Sequence, residues 1–198
     1  MTVTLILANI AVFAWEAVDP DRAVALFALW PLQSHAMGGP PFHLWQVLTY
    51  SMLHANAGHL ALNMFGLYMF GRDVERTLGG KRWCALYLAS ILSGALVQLV
   101  VSLAHAGDAY PTVGASAGVF GVLVAYALFF PHLRVVLLFP PVPMPAWLFA
   151  TIYALLELLL GMSGNEPDVA HFAHLGGMLG ALVLVLHWAR IVRQHRID

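Results

Sequence analysis

The sequence predicts an all-α membrane protein with six spanning helices in a single domain over residues 1–198, and three observations carry that prediction. The 198 residues are 61% hydrophobic and only 10% charged, too little polar surface to coat a soluble globule. Apolar runs near the ~20 residues that a spanning helix needs recur along the whole chain. The lysines and arginines cluster in alternate connections between those runs, the pattern of loops that stay on the cytoplasmic side.

The runs cover residues 3–18, 60–70 with flanking turns, 83–104, 116–130, 146–162 and 169–191. The first lacks the basic start of a signal peptide and is kept as a mature helix. No low-complexity linker interrupts the series. Cys84 is the single cysteine, so no internal disulfide holds the loops and helix packing must do so. A net charge of -1 argues against a nucleic-acid partner.

Arg72, Arg76, Lys81 and Arg82 lie between the second and third runs, Arg134 between the fourth and fifth, and Arg190, Arg193 and Arg196 at the end of the sixth. Only Arg22 falls on the other side. Both termini are therefore expected in the cytoplasm, and the second, fourth and sixth helices start at the outer side. The first outer loop, residues 19–56, carries Trp30, Phe42, Trp45 and Tyr50 around the turn sequence GGPP. Such aromatics favour the headgroup level, so the loop is read as lying partly in the interface rather than as a soluble subdomain.

Polar residues collect at one depth under this topology. His59 and Asn63 are spaced i, i+4 at the start of the second helix and share a face. The sixth opens DVAHFAHLGGMLG, with His171 and His174 one turn apart and His174 above Gly177. The stretch GASAGVFG, residues 114–121, sets Ser116 at the head of the fourth helix. Pro131 stops that helix after about fifteen residues, roughly 22 Å against a hydrocarbon core of about 30 Å. The fourth helix is therefore expected to be short and partly submerged, with Ser116 below the outer surface. Irregular backbone before it would line a watery cavity. Gly114, Gly118 and Gly121 facing Gly176, Gly177 and Gly180 would let the fourth and sixth helices approach closely, bringing Ser116 toward His174.

Each residue also has a plainer reading. A serine among glycines at a helix start is commonly a cap, an intramembrane histidine serves structure as readily as chemistry, and Asn63 alone is interhelical glue. Their shared side and depth favour chemistry. A serine hydroxyl needs an adjacent base to attack a carbonyl, and His174 suits that role. The oxyanion that forms needs preorganised donors, which His59, the Asn63 amide and the Ser116 backbone N–H provide, with the helix dipole of the same sign. Glu157, the lone acid well inside a run, is read as a structural or gating group rather than a catalytic one, which leaves a serine–histidine dyad.

These motifs resemble the rhomboid intramembrane serine proteases. HLALN, residues 59–63, GASAGVFG and AHLGGMLG, residues 173–180, stand in that family's order on the second, fourth and sixth helices, and GRDVERTLGGKRW resembles its cytoplasmic turn. The resemblance covers essentially the whole chain, as the compact six-helix bacterial form. It implies Ser116 as nucleophile, His174 as general base, and His59 and Asn63 as the oxyanion pair. Gly114 matches the glycine two before the serine, His54 the additional histidine ahead of the second helix, and Glu75 a structural acid at the turn. Three positions depart: Ala117 replaces a glycine after the serine, Phe120 stands where some members stack a tyrosine on the histidine, and Gln46 follows Trp45 where some have arginine.

The resemblance further implies cleavage of peptide bonds in or beside the transmembrane segments of membrane-protein substrates, which would enter between the second and fifth helices. It implies no metal or organic cofactor, a lipid bilayer as surroundings, and a multi-pass place in a prokaryotic plasma membrane with the site opening outward. Two alternatives stand beside it. One is an inactive rhomboid-like binder of membrane segments, which would lack the serine or histidine. The other is a metal-binding membrane protein using His54, His59, His171 and His174, against which stand the lack of an HExxH motif and the poor ligand Asn63.

Overall fold

The computed structural model describes residues 1–104, 110–136, 141–163 and 169–194, with side chains described as far as Arg190. The chain is built almost wholly from helices. They are α1 (Thr2–Glu16), α2 (Pro20–Phe27), α3 (Gln46–Thr49), α4 (Ala57–Gly66), α5 (Arg72–Leu78), α6 (Gly80–Ala104), α7 (Ser116–Phe129), α8 (Ala146–Ser163) and α9 (His171–Gln194). By length and composition α6, α8 and the stretch His171–Arg190 of α9 are each able to cross a membrane, while α1 and α7 are shorter apolar helices.

The second expected run is longer than its apolar stretch suggests. Asn56 caps it, its side chain accepting the His59 N–H at 2.8 Å. A π turn at Leu67–Gly71 joins α4 to α5 without a break. Close contacts bracket that turn: a Cβ on Gly66 would meet Val119, and one on Gly71 would meet the Thr2 side chain. Gly79, with φ of 75°, ends α5 in a conformation that glycine adopts freely, and α6 starts at once.

Large apolar side chains point away from the protein in stripes. Leu88, Leu92, Leu96 and Val100 form one on α6, and Leu155, Leu159 and Met162 another on α8. So much exposed apolar surface suits hydrocarbon rather than water. The core lies between, with α7 at its centre, where Ala117, Gly118, Gly121, Val122, Leu123 and Ala125 are all buried.

Two features lie beyond the sequence reading. The connection between α7 and α8 carries a small antiparallel pair, β1 (Arg134–Val136) and β2 (Pro143–Pro145), in a proline-rich stretch that argues against strands. Prolines are tolerated there because a pair of strands has only edges. The first loop also carries regular structure. It contains α2, α3 and two 3₁₀ turns, Ser34–Met37 and Tyr50–Met52. Asp19 caps α2 with Pro20 at its first position.

That loop is fastened to the bundle where the site forms. Leu29 and Thr112 exchange backbone hydrogen bonds of 3.0 and 2.9 Å, Gly114 N–H donates to Tyr50 O at 2.9 Å, and the Tyr50 hydroxyl donates to Ile91 O at 2.8 Å. Gln46 stands where an arginine was the alternative, and it holds the loop from inside. It is fully buried. Its Oε1 accepts the N–H groups of Trp30 at 3.3 Å and His43 at 3.2 Å, while its Nε2 donates to the carbonyls of Leu26 and Pro41.

Candidate active site

The N-terminal ends of α4, α7 and α9 converge, and each delivers polar side chains. Ser116 is the first residue of α7. The chain reaches it through Gly114, whose φ of 125° disfavours any other residue, and a Cβ there would lie 2.7 Å from the His59 ring and 3.5 Å from Ser116 Oγ. His59 therefore borders the serine. Its position on α4 is fixed by the Asn56 cap on its own N–H.

His174 reaches Ser116 from α9, with Nε2 2.7 Å from Oγ. Phe120, one turn along α7, lies flat on the His174 ring, with centroids 4.6 Å apart and planes at 20°. The stack is retained without a tyrosine hydroxyl. Asn63 is buried one turn below His59, and its amide nitrogen has no hydrogen-bond partner among the described residues. His54 is buried ahead of α4 with its ring edge-on to His59 at 5.2 Å, while its backbone N–H donates to Glu16 at 3.1 Å. Burial, and then the neighbouring His59, pushes the His54 imidazole down to about 4, so it is neutral at neutral pH.

The glycines pack differently from the expected single seam. Gly177 does lie against Ala117 of α7, but Gly176 and Gly180 press on Ser93, Gly94 and Ala89 of α6. Gly118 turns to the Tyr87 ring of α6, and Gly121 sits between Ser90 and the Gly177 carbonyl. Three helices share the small residues, because a helix of 3.6 residues per turn spreads neighbouring glycines over different faces. Ala117, the departure after the serine, is accommodated by Gly94 and Gly177 on either side. Glu75 ties the start of α1 to α5, accepting the Thr2 N–H at 2.8 Å.

One pairing at the site does not follow from the sequence. Glu157 of α8, expected as a structural or gating group, has its Oε2 2.8 Å from His174 Nδ1. The same oxygen lies 2.7 Å from His171 Nδ1. The available signal was its isolation: an acid inside an apolar run is costly unless buried and paired. Glu157, His171 and His174 each offer one donor atom, all within 4.8 Å of one another. Zinc ligands about 2.0–2.2 Å from a shared ion would stand roughly 3.3 Å apart. The two contacts to Glu157 fit hydrogen bonds instead.

A helical membrane protein in which a half-buried serine meets a buried histidine is the class that this arrangement defines. Residues 41–190 match the family model of the Rhomboid domain. The chain is 31% identical over 80% of its length to the mitochondrial Rhomboid protein 1 of Saccharomyces cerevisiae, covering 49% of that protein. It is 27% identical over 94% of its length to the Rhomboid protease AarA of Providencia stuartii, covering 72% of it. Rhomboid protease GluP of Bacillus subtilis is 29% identical over 69% of this chain, which covers 24% of GluP. The chain thus spans about half the length of the yeast relative and less of GluP. It belongs to the rhomboid family.

Proposed function

We propose that this protein is an intramembrane serine endopeptidase that cleaves peptide bonds in or near the transmembrane segments of other membrane proteins. The observation that carries the reading is the 2.7 Å contact between Ser116 Oγ and His174 Nε2. Such a pair lets the imidazole take the hydroxyl proton as oxygen attacks a carbonyl. His174 then passes that proton to the departing amine, leaving an acyl group on Ser116 that water removes with the same base. His59, Asn63 and the Ser116 N–H are the donors for the oxyanion, and the unpartnered Asn63 amide favours that role.

In this reading six helices span the bilayer, with α4 and α5 counted as one and α7 as the short, submerged fourth. The distribution of basic residues favours both termini in the cytoplasm and a site toward the outer side. Substrate enters between α4 and α8, and the lipid-facing leucines of α8 fit a helix at that entrance. A prokaryotic plasma membrane is the proposed location.

An active-site-directed fluorophosphonate tests the chemistry without a known substrate. The expected result is one adduct, mapped by mass spectrometry to Ser116, absent in Ser116→Ala and strongly reduced in His174→Ala. Unchanged labelling in Ser116→Ala would contradict the assignment.

A further inference from the structure

We propose that Glu157 is a positioning residue that completes a Ser116–His174–Glu157 triad, with His171 holding its carboxylate in place. The inference rests on the protease reading above and adds a third group to a reaction otherwise run by two.

The geometry orders the three in a line. Ser116 Oγ meets His174 Nε2 at 2.7 Å, and on the far side of the ring His174 Nδ1 meets Glu157 Oε2 at 2.8 Å. A neutral imidazole carries its proton on one nitrogen only. With a carboxylate against Nδ1, the proton belongs there, because the opposite tautomer would set a lone pair against an oxygen acceptor. Nε2 is then left as the acceptor facing the serine hydroxyl, the form a general base requires. When His174 takes the serine proton, the resulting imidazolium still donates Nδ1–H to an anion. That contact is stronger in the charged state than in the resting one, so it favours the transition state.

His171 explains why the carboxylate stays in position. Its Nδ1 lies 2.7 Å from the same Oε2, one helical turn from His174 on α9. Glu157, His171 and His174 are all buried, so neither water nor a mobile side chain readily substitutes. A purely structural role would be met by the His171 contact alone. The contact with His174 falls on the one ring whose other nitrogen reaches Ser116. Moreover, the carboxylate comes from α8, whereas base and nucleophile sit on α9 and α7. The triad is complete only while that turn of α8 remains docked.

The test uses the full chain, labelled with ¹⁵N-histidine and held in lipid nanodiscs, with His174→Gln serving to assign the signal. In the wild type His174 is expected to carry its proton on Nδ1, and in Glu157→Gln to shift toward the Nε2–H form. With the same proteins, Glu157→Gln is expected to lower kcat by about 10²- to 10⁴-fold while KM moves less than about threefold, the upper figure being the cost of an amide at the triad acid of a serine protease. His171→Gln keeps the Nδ1–H form and loses less. A wild-type His174 protonated on Nε2 would overturn the proposal even if the variant fails to fold. So would a folded Glu157→Gln with unchanged tautomer or with kcat within about threefold of wild type. A wild type that cleaves nothing and takes no fluorophosphonate would instead overturn the protease reading, and the tautomer of the resting protein would still decide the role of Glu157.

Discussion

Phe120 lies flat against His174, ring centroids 4.6 Å apart, and so closes one face of the imidazole whose edges meet Ser116 and Glu157. An aromatic stack of this kind is worth about 0.5–1.5 kcal/mol. If that energy holds the ring for proton transfer, Phe120→Ala lowers kcat by roughly 2- to 13-fold, and Phe120→Tyr retains activity. Single-turnover kinetics in proteoliposomes measure the effect, and an alanine variant at full rate would show that the stack only fills space.

Asn63 offers a buried amide with no partner at its nitrogen among the described residues. Leaving such a donor unpaired is unfavourable in a resting protein, and a site that binds a transient oxyanion justifies it. Asn63→Ala is therefore expected to lower kcat by about 10²- to 10³-fold without lowering the thermal midpoint. A fall in stability with kcat preserved would make Asn63 interhelical glue.

The first loop depends on Gln46. Its four hydrogen bonds reach Trp30, His43, Leu26 and Pro41 from a fully buried position. Gln46→Leu keeps the volume and strands two N–H groups, a loss of about 1–3 kcal/mol each. Gln46→Glu keeps the acceptor for those N–H groups but sets a carboxylate against two carbonyls, so it too is destabilised. Unfolding in mixed detergent measures both, and a Leu variant as stable as wild type would contradict this account of the loop.

His54 ties stability to pH. Its folded-state value of about 4 lies below the ~6.5 of an unfolded histidine. Between those values the unfolded chain takes up a proton that the folded one refuses. The contribution is thus complete above about 6.5 and is lost as pH falls toward 4. The thermal midpoint of wild type should drop more between pH 7.5 and 4.5 than that of His54→Gln. Parallel curves would contradict the assignment.

How far the sequence disclosed this site depended on the range of each signal. The approach of Ser116, His59 and His174 was legible because helical spacing and small residues on neighbouring helices point to a shared contact, where polar side chains are expensive. The pairing of Glu157 with His171 and His174 was not. It depends on how α8 is rotated against α9, and the sequence of α8 is apolar on nearly every side, so it does not fix that rotation. The glycines show the same limit. Their small size forecast close packing, but whether Gly118 met α9 or the Tyr87 ring of α6 was decided by tertiary geometry. Gln46 drew notice only as a departure from an arginine. Its role rests on backbone groups whose positions follow from the folded loop.

The most direct test of the central claim is cleavage of single-span substrates by the purified protein in liposomes, comparing wild type with Ser116→Ala and His174→Ala, with and without chelator. Wild type is expected to cleave whether or not chelator is present, and both variants to lose cleavage with folding intact. Cleavage that persists in both variants would contradict the claim.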